Sequence, residues 1–403
     1  MNLKIRLQLS SMMFFEYFIW GAWYVTMGTY LGTTLKFDGL QIGIAYGAMA
    51  IASMISPFLV GMIADRFFAT EKILGVLHLF GAVLLYLCTL FSEFSAFYLV
   101  LLAYTLCYMP TLALTNSISF NQMKDPEKEF PAIRVLGTVG WIVAGIAIGV
   151  FGLETEATLK GTYHMAAIMS AIMGVYCFSL PHTPPKKKEG KVTISKALGL
   201  DALGMLKDKS FAVLFIASLL ISIPLSFYYN FTNLYLNEVG MENAASKMTL
   251  GQMSEIGFML VMPFCFKKLG IKKMMIVGMA AWALRYVFFG YGDNDAFIWM
   301  LYGGILLHGI CYDFFFVTGQ IYVDNKAPDN LKSSAQGMIT FATYGVGMFI
   351  GSFVSGKVVE VYSQSDIHLW KEIWIVPAVA SGVVLLLFTL FFKDDKKKNE
   401  AVN

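Results

Sequence analysis

Three carboxylates lie within long apolar segments of this chain, where an uncompensated charge costs several kcal/mol in a membrane. Glu16, Glu255 and Asp313 each fall about halfway along such a segment. Burial in a medium of low dielectric favours the protonated form of a carboxylic acid. Each of the three can therefore carry a proton or bind a polar ligand, or it can serve as the structural partner of a buried cation.

Two arginines also fall inside apolar segments. Arg134 follows Pro131 by three residues, so its guanidinium either faces a cavity, where it binds substrate oxygens or a carboxylate, or extends to the surface. Arg285 lies near the end of its segment, and we expect it to reach the surface or to pair with Asp293 or Asp295.

Polar and aromatic side chains accompany the carboxylates along the same segments. Each of them can bind substrate or simply form a hydrogen bond between helices, and they include Thr138, Trp141, Tyr229, Asn230, Gln252, His308 and Tyr312. Together they describe a polar cavity with aromatic faces for a ring-shaped ligand. A nucleoside fits this description, and a sugar fits it almost as well.

Metal and cofactor chemistry is not indicated. The five cysteines lie singly in apolar runs, and the grouping of His308, Cys311 and Asp313 has no second cluster to complete a coordination shell. We expect neither a cofactor nor a catalytic residue.

The composition is that of a membrane protein. Of 403 residues, 57% are hydrophobic and 14% are charged, whereas a soluble domain has roughly 25% charged residues. The mean hydropathy is +0.63. These values exclude a disordered chain, a disulfide-rich secreted scaffold and an ordinary cytosolic enzyme. The net charge of +3 gives no reason to expect nucleic acid as a partner, and we expect a lipid bilayer around the chain.

A bilayer core requires about 20 mostly apolar helical residues, and twelve segments meet this requirement. The predicted spans are 8–33, 40–64, 73–92, 96–119, 131–153, 159–181, 211–236, 246–266, 273–291, 296–322, 333–356 and 371–392.

The placement of lysine and arginine predicts the orientation of these spans. If both termini are cytoplasmic, 23 of the 30 Lys and Arg residues fall on the cytoplasmic side and five on the outer side. Such an asymmetry follows the positive-inside rule. It supports an even number of spans, with both termini in the cytoplasm.

A basic, proline-containing stretch divides the chain. Residues 182–210 begin HTPPKKK and form a predicted cytoplasmic linker. This gives a six-helix bundle at 1–181 and a second at 211–403, the latter with a short basic tail. Small-residue pairs recur about 200 residues apart, which indicates two pseudo-repeats. Six plus six parallel repeats are the architecture of the major facilitator superfamily.

The loop after the second span contains GMIADR at 61–66. It resembles the G-x-x-x-D-R motif of the same superfamily. Asp65 and Arg66 are therefore predicted to form a conformational latch. A simple turn with solvated charges is the alternative that the same residues allow.

Several motifs, in order along the chain, resemble the bacterial nucleoside:proton symporter family of that superfamily. They are YMPT at 108–111, FPAIRVLGT at 130–138, GQMSE at 251–255, HGICYDFF at 308–315 and SAQG at 334–337. The likeness covers nearly the whole chain. The chain resembles a nucleoside transporter branch of the family more closely than it resembles the best-known nucleoside permease.

The resemblance implies twelve helices, alternating access and proton-driven uptake of nucleosides across the inner membrane. By position, it implies substrate roles for Arg134, Thr138, Gln252, Glu255 and Asp313. Trp141 and Tyr312 fall at aromatic positions of the family.

The chain departs from the best-known permease at three positions. Ser226 and Tyr229 replace a glutamine and an asparagine of the seventh span, and Glu16 stands where the permease has an uncharged amide. The first two departures concern base selectivity, and the third concerns either proton coupling or the accommodation of a different ligand.

The prediction is thus a monomeric, proton-coupled nucleoside symporter, with Asp313, Glu255 and Glu16 as its protonatable groups. A proton symporter for a sugar or another small polar metabolite is the nearest alternative. A drug:proton antiporter is more distant, because the fifth span has no Pro-Gly signature. A membrane-embedded enzyme is disfavoured because the sequence contains no nucleophile or metal constellation.

Overall fold

In the computed structural model, the described residues are 1–63, 68–155, 157–184, 200–329, 331–364 and 367–393, without the side chains of 57–63, 126 and 127. The predicted latch residues Asp65 and Arg66 lie outside these ranges, as does most of the predicted linker.

The described chain is almost entirely α-helical. In chain order its α-helices are α1 (Leu3–Tyr24), α2 (Met27–Thr29), α3 (Gly39–Ile63), α4 (Thr70–Cys88), α5 (Phe94–Gln122), α6 (Pro126–Val150), α7 (Lys160–Cys177), α8 (Lys209–Glu238), α9 (Ala244–Tyr291), α10 (Ile298–Cys311), α11 (Thr318–Lys326), α12 (Lys332–Thr340), α13 (Met348–Val361) and α14 (Trp370–Phe391).

Several of these helices begin at side chains that satisfy the exposed backbone N–H groups of a helix start. Asp38 and Gln41 form a reciprocal capping box at α3, with distances of 2.8 and 3.1 Å. Glu93 accepts from the N–H groups of Ser95 and Ala96 at the start of α5. Polar residues in the short connections therefore fix where each helix begins.

Nine helices of the described residues are long and apolar enough to cross a membrane, counting α10–α11 and α12–α13 as continuous helices. The chain is a helical, multi-pass membrane protein. The longest of the nine, α9, has 48 residues and a break at Gly270, whose φ of 69° is left-handed. Glycine adopts this conformation without steric cost.

Three helical stretches are wider than an α-helix. Tyr30–Thr34 continues α2, Tyr312–Val317 joins α10 to α11, and Phe341–Gly347 joins α12 to α13, each as a π-helical turn. A short 3₁₀ helix, Leu200–Lys207, precedes α8. Two two-residue strands, β1 (Ser363–Gln364) and β2 (Ile367–His368), pair between α13 and α14.

The chain forms two compact units. Unit 1 comprises 1–197, 226–249 and 352–363, and unit 2 comprises 198–225, 250–351 and 364–403. Segments of α8, α9 and α13 thus belong to unit 1, although they come late in the chain.

Unit 1 is held together by aromatic packing and by one carboxylate. The ring of Trp23 lies 5.3 Å from that of Tyr104 and 6.0 Å from that of Tyr163. In the loop after α6, one oxygen of Glu154 accepts hydrogen bonds from Asn233 Nδ2 at 3.0 Å and from the Ala245 N–H at 2.9 Å. This carboxylate ties α8 and the start of α9 to the N-terminal helices.

Unit 2 has a core of sulfur-containing and aromatic side chains. Met262, Met274 and Phe314 form a buried cluster, and the ring of Trp282 packs edge-on against Phe315 and Phe316 at 5.8 and 5.3 Å. This packing fixes the segment that contains Asp313.

Candidate functional site

Asp313 is the second residue of the π-helical turn Tyr312–Val317. Its side chain is fully buried, and neither carboxylate oxygen accepts a hydrogen bond from the described residues. A buried carboxylate without donors is costly, so a proton or the donors of a ligand would stabilise it. Single π-helical turns are frequent at functional sites, which supports a functional role for Asp313.

Glu255 lies in the same unit as Asp313. It is half-buried on α9, and its charge acts directly on the Asp313 carboxylate. Two carboxylates that interact in a medium of low dielectric resist simultaneous ionisation. The two side chains therefore suit a site that holds a proton in one state and a polar ligand in another.

A close backbone contact brings the two sequence motifs of unit 2 together. The N–H of Gly309 donates to Ser254 Oγ at 3.1 Å. A Cβ at position 309 would lie only 2.6 Å from the backbone nitrogen of Glu255. Because glycine has no Cβ, α10 can approach α9 closely enough to place Glu255 beside the turn that carries Asp313.

His308 and Arg285 form a buried pair in unit 2. Arg285 Nη1 lies 3.1 Å from His308 Nδ1. Because a guanidinium is always a donor, we assign Nδ1 as the acceptor and a neutral ring to His308. The expectation that Arg285 reaches the surface is wrong, since its side chain is fully buried. It failed because depth was estimated from the distance to the end of the segment.

Tyr312 connects two π-helical turns. Its hydroxyl lies 2.6 Å from that of Tyr344, which belongs to the turn Phe341–Gly347. The Tyr312 ring lies 6.0 Å from the His308 ring. The structure therefore gathers His308, Tyr312, Asp313 and Glu255 in one region of unit 2. Gln252 lies one turn before Glu255 on the same face of α9, half-buried.

Arg134 belongs to unit 1. It is half-buried on α6, and its guanidinium carbon lies 4.1 Å from the centroid of the Tyr17 ring. A cation over an aromatic face is stabilised electrostatically. The helices come close because a Cβ at Gly140 would overlap the backbone of Phe14 on α1.

Trp141 extends this region along an aromatic row of α1. Its ring packs edge-on against Trp20 at 5.4 Å and lies 6.4 Å from that of Tyr24. Thr138 is half-buried on α6, between Arg134 and Trp141 on the same face. The structure therefore brings Arg134, Thr138 and Trp141 together on one face of α6.

Tyr229 and Asn230, although far along the chain, also belong to unit 1. The Tyr229 ring lies 6.0 Å from that of Tyr24. Asn230 is buried, and its amide donates to Ser355 Oγ at 3.0 Å and, more weakly, to Ser352 Oγ at 3.4 Å. Tyr229 thus continues the aromatic row, whereas the Asn230 amide binds α13.

The family follows from a comparison with known proteins. A family model described as nucleoside H⁺ symporter matches residues 1–397. This chain belongs to the nucleoside H⁺ symporter family. The prediction of a proton-coupled nucleoside transporter is confirmed at this level, and so is the prediction of a transporter instead of an enzyme. The sugar alternative is not favoured.

Three relatives of this nucleoside H⁺ symporter come from Escherichia coli (strain K12). It is 45% identical to "Putative nucleoside transporter YegT", over 99% of this chain and 96% of that protein. It is 34% identical to nucleoside permease NupG, over 98% and 96%. It is 33% identical to xanthosine permease, over 97% and 96%.

The fold is also shared. A crystal structure of nucleoside transporter NupG matches with a TM-score of 0.89 at 33% identity, over 98% of this chain and all of that one. The likeness therefore extends over the whole length of the symporter.

The sequence analysis named Glu16 but missed its buried partner in the symporter, His78. Glu16 is fully buried on α1, and its Oε2 lies 3.0 Å from Nε2 of His78 on α4. Thr111 Oγ1 on α5 lies 2.6 Å from Glu16 Oε1 and 2.5 Å from the backbone oxygen of Tyr108. His78 could have been found from its position in the middle of an apolar helix, because an ionisable side chain there is rare.

Metal binding finds no support in the described residues, which contain no group of three or more His, Cys, Asp or Glu side chains placed to hold an ion.

Proposed function

We propose that this protein imports nucleosides together with protons by alternating access, and that Asp313 is the central coupling residue. The observation that carries the proposal is the state of the Asp313 carboxylate, which is fully buried without a hydrogen-bond donor among the described residues. Such a group gains free energy from a proton or from the hydroxyls of a ligand, and a symporter needs a site with both properties.

Glu255 assists Asp313. Its charge acts on the Asp313 carboxylate, so that protonation of one favours ionisation of the other. The ionised carboxylate accepts hydrogen bonds from ribose hydroxyls, and the protonated one keeps the site neutral. Gln252, on the same face of α9 as Glu255, contributes an amide that can pair with a nucleobase edge.

The aromatic and cationic residues recognise the rest of the substrate. Trp141 and Tyr312 stack on the base, an interaction worth about 1–3 kcal/mol per base in proteins that bind single strands. Arg134 donates to substrate oxygens while its guanidinium rests on Tyr17, and Thr138 donates or accepts a hydrogen bond nearby. His308 holds the neighbouring Arg285 in place.

Selectivity among bases is assigned to Tyr229, Asn230 and the neighbouring Ser226. Tyr229 extends the aromatic row of α1, and the Asn230 amide is engaged with α13. An aromatic ring in place of an amide favours stacking on the base over hydrogen bonds to its edge.

The topology proposed is twelve spans in two six-helix repeats, with both termini cytoplasmic, in a monomer. Of the nine apolar helices, α9 counts twice because 48 residues extend about 72 Å and break at Gly270. Adding α1 and α7 gives twelve. Lys and Arg placement supports the orientation.

The test is uptake of labelled uridine and adenosine by cells that lack their own nucleoside transporters, with and without a protonophore. Uptake that exceeds equilibrium and collapses with the protonophore supports the proposal, provided that an excess of unlabelled nucleoside competes and free sugars do not. Absence of nucleoside uptake by protein shown to reach the membrane would overturn it.

A further inference from the structure

The Glu16–His78 pair lies in unit 1, whereas Asp313 and Glu255 lie in unit 2. Both of its members are buried, with exposed fractions of 0% for Glu16 and 1% for His78. The contact between Glu16 Oε2 and His78 Nε2 is 3.0 Å, which is hydrogen-bond distance. One hydrogen must therefore lie between these two atoms.

The hydrogen bonds around His78 determine which hydrogens the ring carries. The Ser170 hydroxyl donates its single hydrogen to the backbone oxygen of His78 at 2.8 Å. The same Oγ lies 3.3 Å from His78 Nδ1, so it can only accept there. We therefore assign a hydrogen to Nδ1.

With Nδ1 protonated, and with the Thr111 hydroxyl assigned as the donor to Glu16 Oε1, the pair has two equivalent compositions. Either Glu16 is a carboxylic acid that donates to a neutral imidazole, or Glu16 is a carboxylate that accepts from an imidazolium. Both contain the same single proton between Oε2 and Nε2, and both are neutral overall. Loss of that proton would leave two lone pairs facing each other and one buried negative charge, which costs several kcal/mol.

Other titratable groups face Glu16 from each neighbouring helix. Tyr17 is its neighbour on α1, Tyr104 and Tyr108 come from α5, and Cys177 comes from α7. The Tyr108 hydroxyl donates to the backbone oxygen of Glu16 at 2.6 Å. None of these side chains is cationic.

The cation near this pair is Arg134 on α6. Its guanidinium covers the ring of Tyr17 at 4.1 Å, and both Arg134 and Glu16 act electrostatically on Tyr17. A negative charge on the deprotonated pair would attract the guanidinium and compete with a ligand for it. A protonated pair is neutral and leaves the guanidinium to the ligand.

We propose that Glu16 and His78 form a second proton-binding site, in unit 1, that must be filled before Arg134 can bind the nucleoside. This inference rests on the proposed function and deepens it: two protons, one at Asp313 and one at Glu16–His78, accompany each nucleoside. The coupling between the proton and the nucleoside has the sign that a symporter requires, because the binding of each favours the binding of the other.

The experiment uses the purified full-length protein in liposomes. The nucleoside gradient at which net flux vanishes is measured against an imposed pH gradient. Two coupled protons support about 100-fold accumulation per pH unit, and one proton supports about 10-fold. Wild type should give the first value.

Glu16→Gln is the decisive variant, because its amide N–H₂ can still donate to His78 Nε2 while it cannot release a proton. The accumulation should fall from about 100-fold to about 10-fold per pH unit, while nucleoside exchange without net flux persists. Glu71→Gln is the matched control: Glu71 is also buried and contacts a histidine, His182, at 2.9 Å, but at the start of α4, and it should keep the wild-type value.

The outcomes are distinguishable. A wild-type gradient that does not respond to the pH gradient would overturn the proposed function itself. A wild type that couples one proton, or a Glu16→Gln protein that still couples two, would overturn only the second site. If Glu16→Gln shows no nucleoside exchange, Glu16→Asn, whose amide likewise cannot release a proton, is measured instead, and the same fall to one proton is expected; retention of two protons would again overturn the site.

Discussion

Asp313 and Glu16 are both fully buried carboxylates, but their surroundings differ. Both oxygens of Glu16 have hydrogen-bond partners, Thr111 and His78, whereas those of Asp313 accept no hydrogen bond from the described residues. Burial alone therefore does not identify the role of a carboxylate. The one without donors can bind a ligand directly, while the paired one can exchange only the proton that it shares with its partner.

The largest effect is expected from Asp313→Asn. The amide cannot carry the coupling proton, so accumulation of nucleoside should fall to the equilibrium ratio, with exchange across the membrane reduced but measurable. Uptake into energised vesicles measures the first quantity, and exchange of labelled for unlabelled nucleoside measures the second.

Glu360→Gln provides the control for this variant, because Glu360 pairs with Lys357 at the end of α13 and should tolerate the change. If Asp313→Asn accumulated nucleoside to the wild-type level, Asp313 would not carry the coupling proton, and its role would not differ from that of Glu16 in the way described above.

Arg134→Lys should have the next largest effect. An ammonium keeps the charge over Tyr17 but lacks the planar fork that binds two oxygens at once. Losing one charge-assisted hydrogen bond costs about 1.5–3 kcal/mol, so the KM for uptake should rise about 10–100-fold, with less change in maximal rate. Lys128→Arg, on an exposed lysine of the same helix, is the control. An unchanged KM would show that Arg134 does not contact the substrate.

Gly309→Ala tests whether unit 2 needs its close helix contact to position Glu255. The added Cβ would lie 2.6 Å from the Glu255 nitrogen, which forces α9 and α10 apart at a cost of about 1–3 kcal/mol. The thermal unfolding midpoint in detergent should therefore fall. Gly257→Ala, on the same helix α9 with nothing within 4 Å of its Cβ, should be neutral or slightly stabilising. Equal midpoints for the two variants would refute the contact.

The smallest effect concerns a third carboxylate, Asp208, which is partly exposed before α8. Burial opposes its ionisation, but hydrogen bonds from Lys326 and from the Phe211 N–H outweigh this and lower the pKa of Asp208. Because a depressed pKa stabilises the fold above the unfolded value of about 3.9, this stability is lost as the pH falls below that value.

Asp208→Asn should thus destabilise the protein by no more than about 1 kcal/mol at neutral pH and weaken the acid dependence of unfolding between about pH 5 and 2. Unfolding midpoints over that range measure it. A fall in the unfolding midpoint as large as that of Gly309→Ala would contradict the expectation that a partly exposed ion pair stabilises the fold less than a buried helix contact.

The long apolar helices and the buried carboxylates could be predicted because both depend on local composition. A charge within 20 apolar residues is visible in the sequence, and so is the interruption near Gly270, which falls between the predicted spans 246–266 and 273–291. The first predicted span, 8–33, is in fact divided, since α1 ends at Tyr24 and α2 begins at Met27.

The partners of the charged groups could not be predicted, because they come from distant parts of the chain. Glu16 and His78 are 62 residues apart, and apolar periodicity does not show which faces of two helices meet. The burial of Arg285 depends on His308 in the same way. The short strands β1 and β2 were missed because two residues are too few for an alternating pattern.

The π-helical turn before α11 also separates the position of Asp313 from the face of the helix that follows. A π turn contains one residue more than the α-helix it interrupts, and this extra residue is taken up within the wider turn. Removing one residue from Tyr312–Val317 would return this segment to a plain α-helix and leave the side chains of Thr318–Lys326 facing as before. A single-residue deletion there would therefore displace the side chains of the turn, Asp313 among them, without rotating α11.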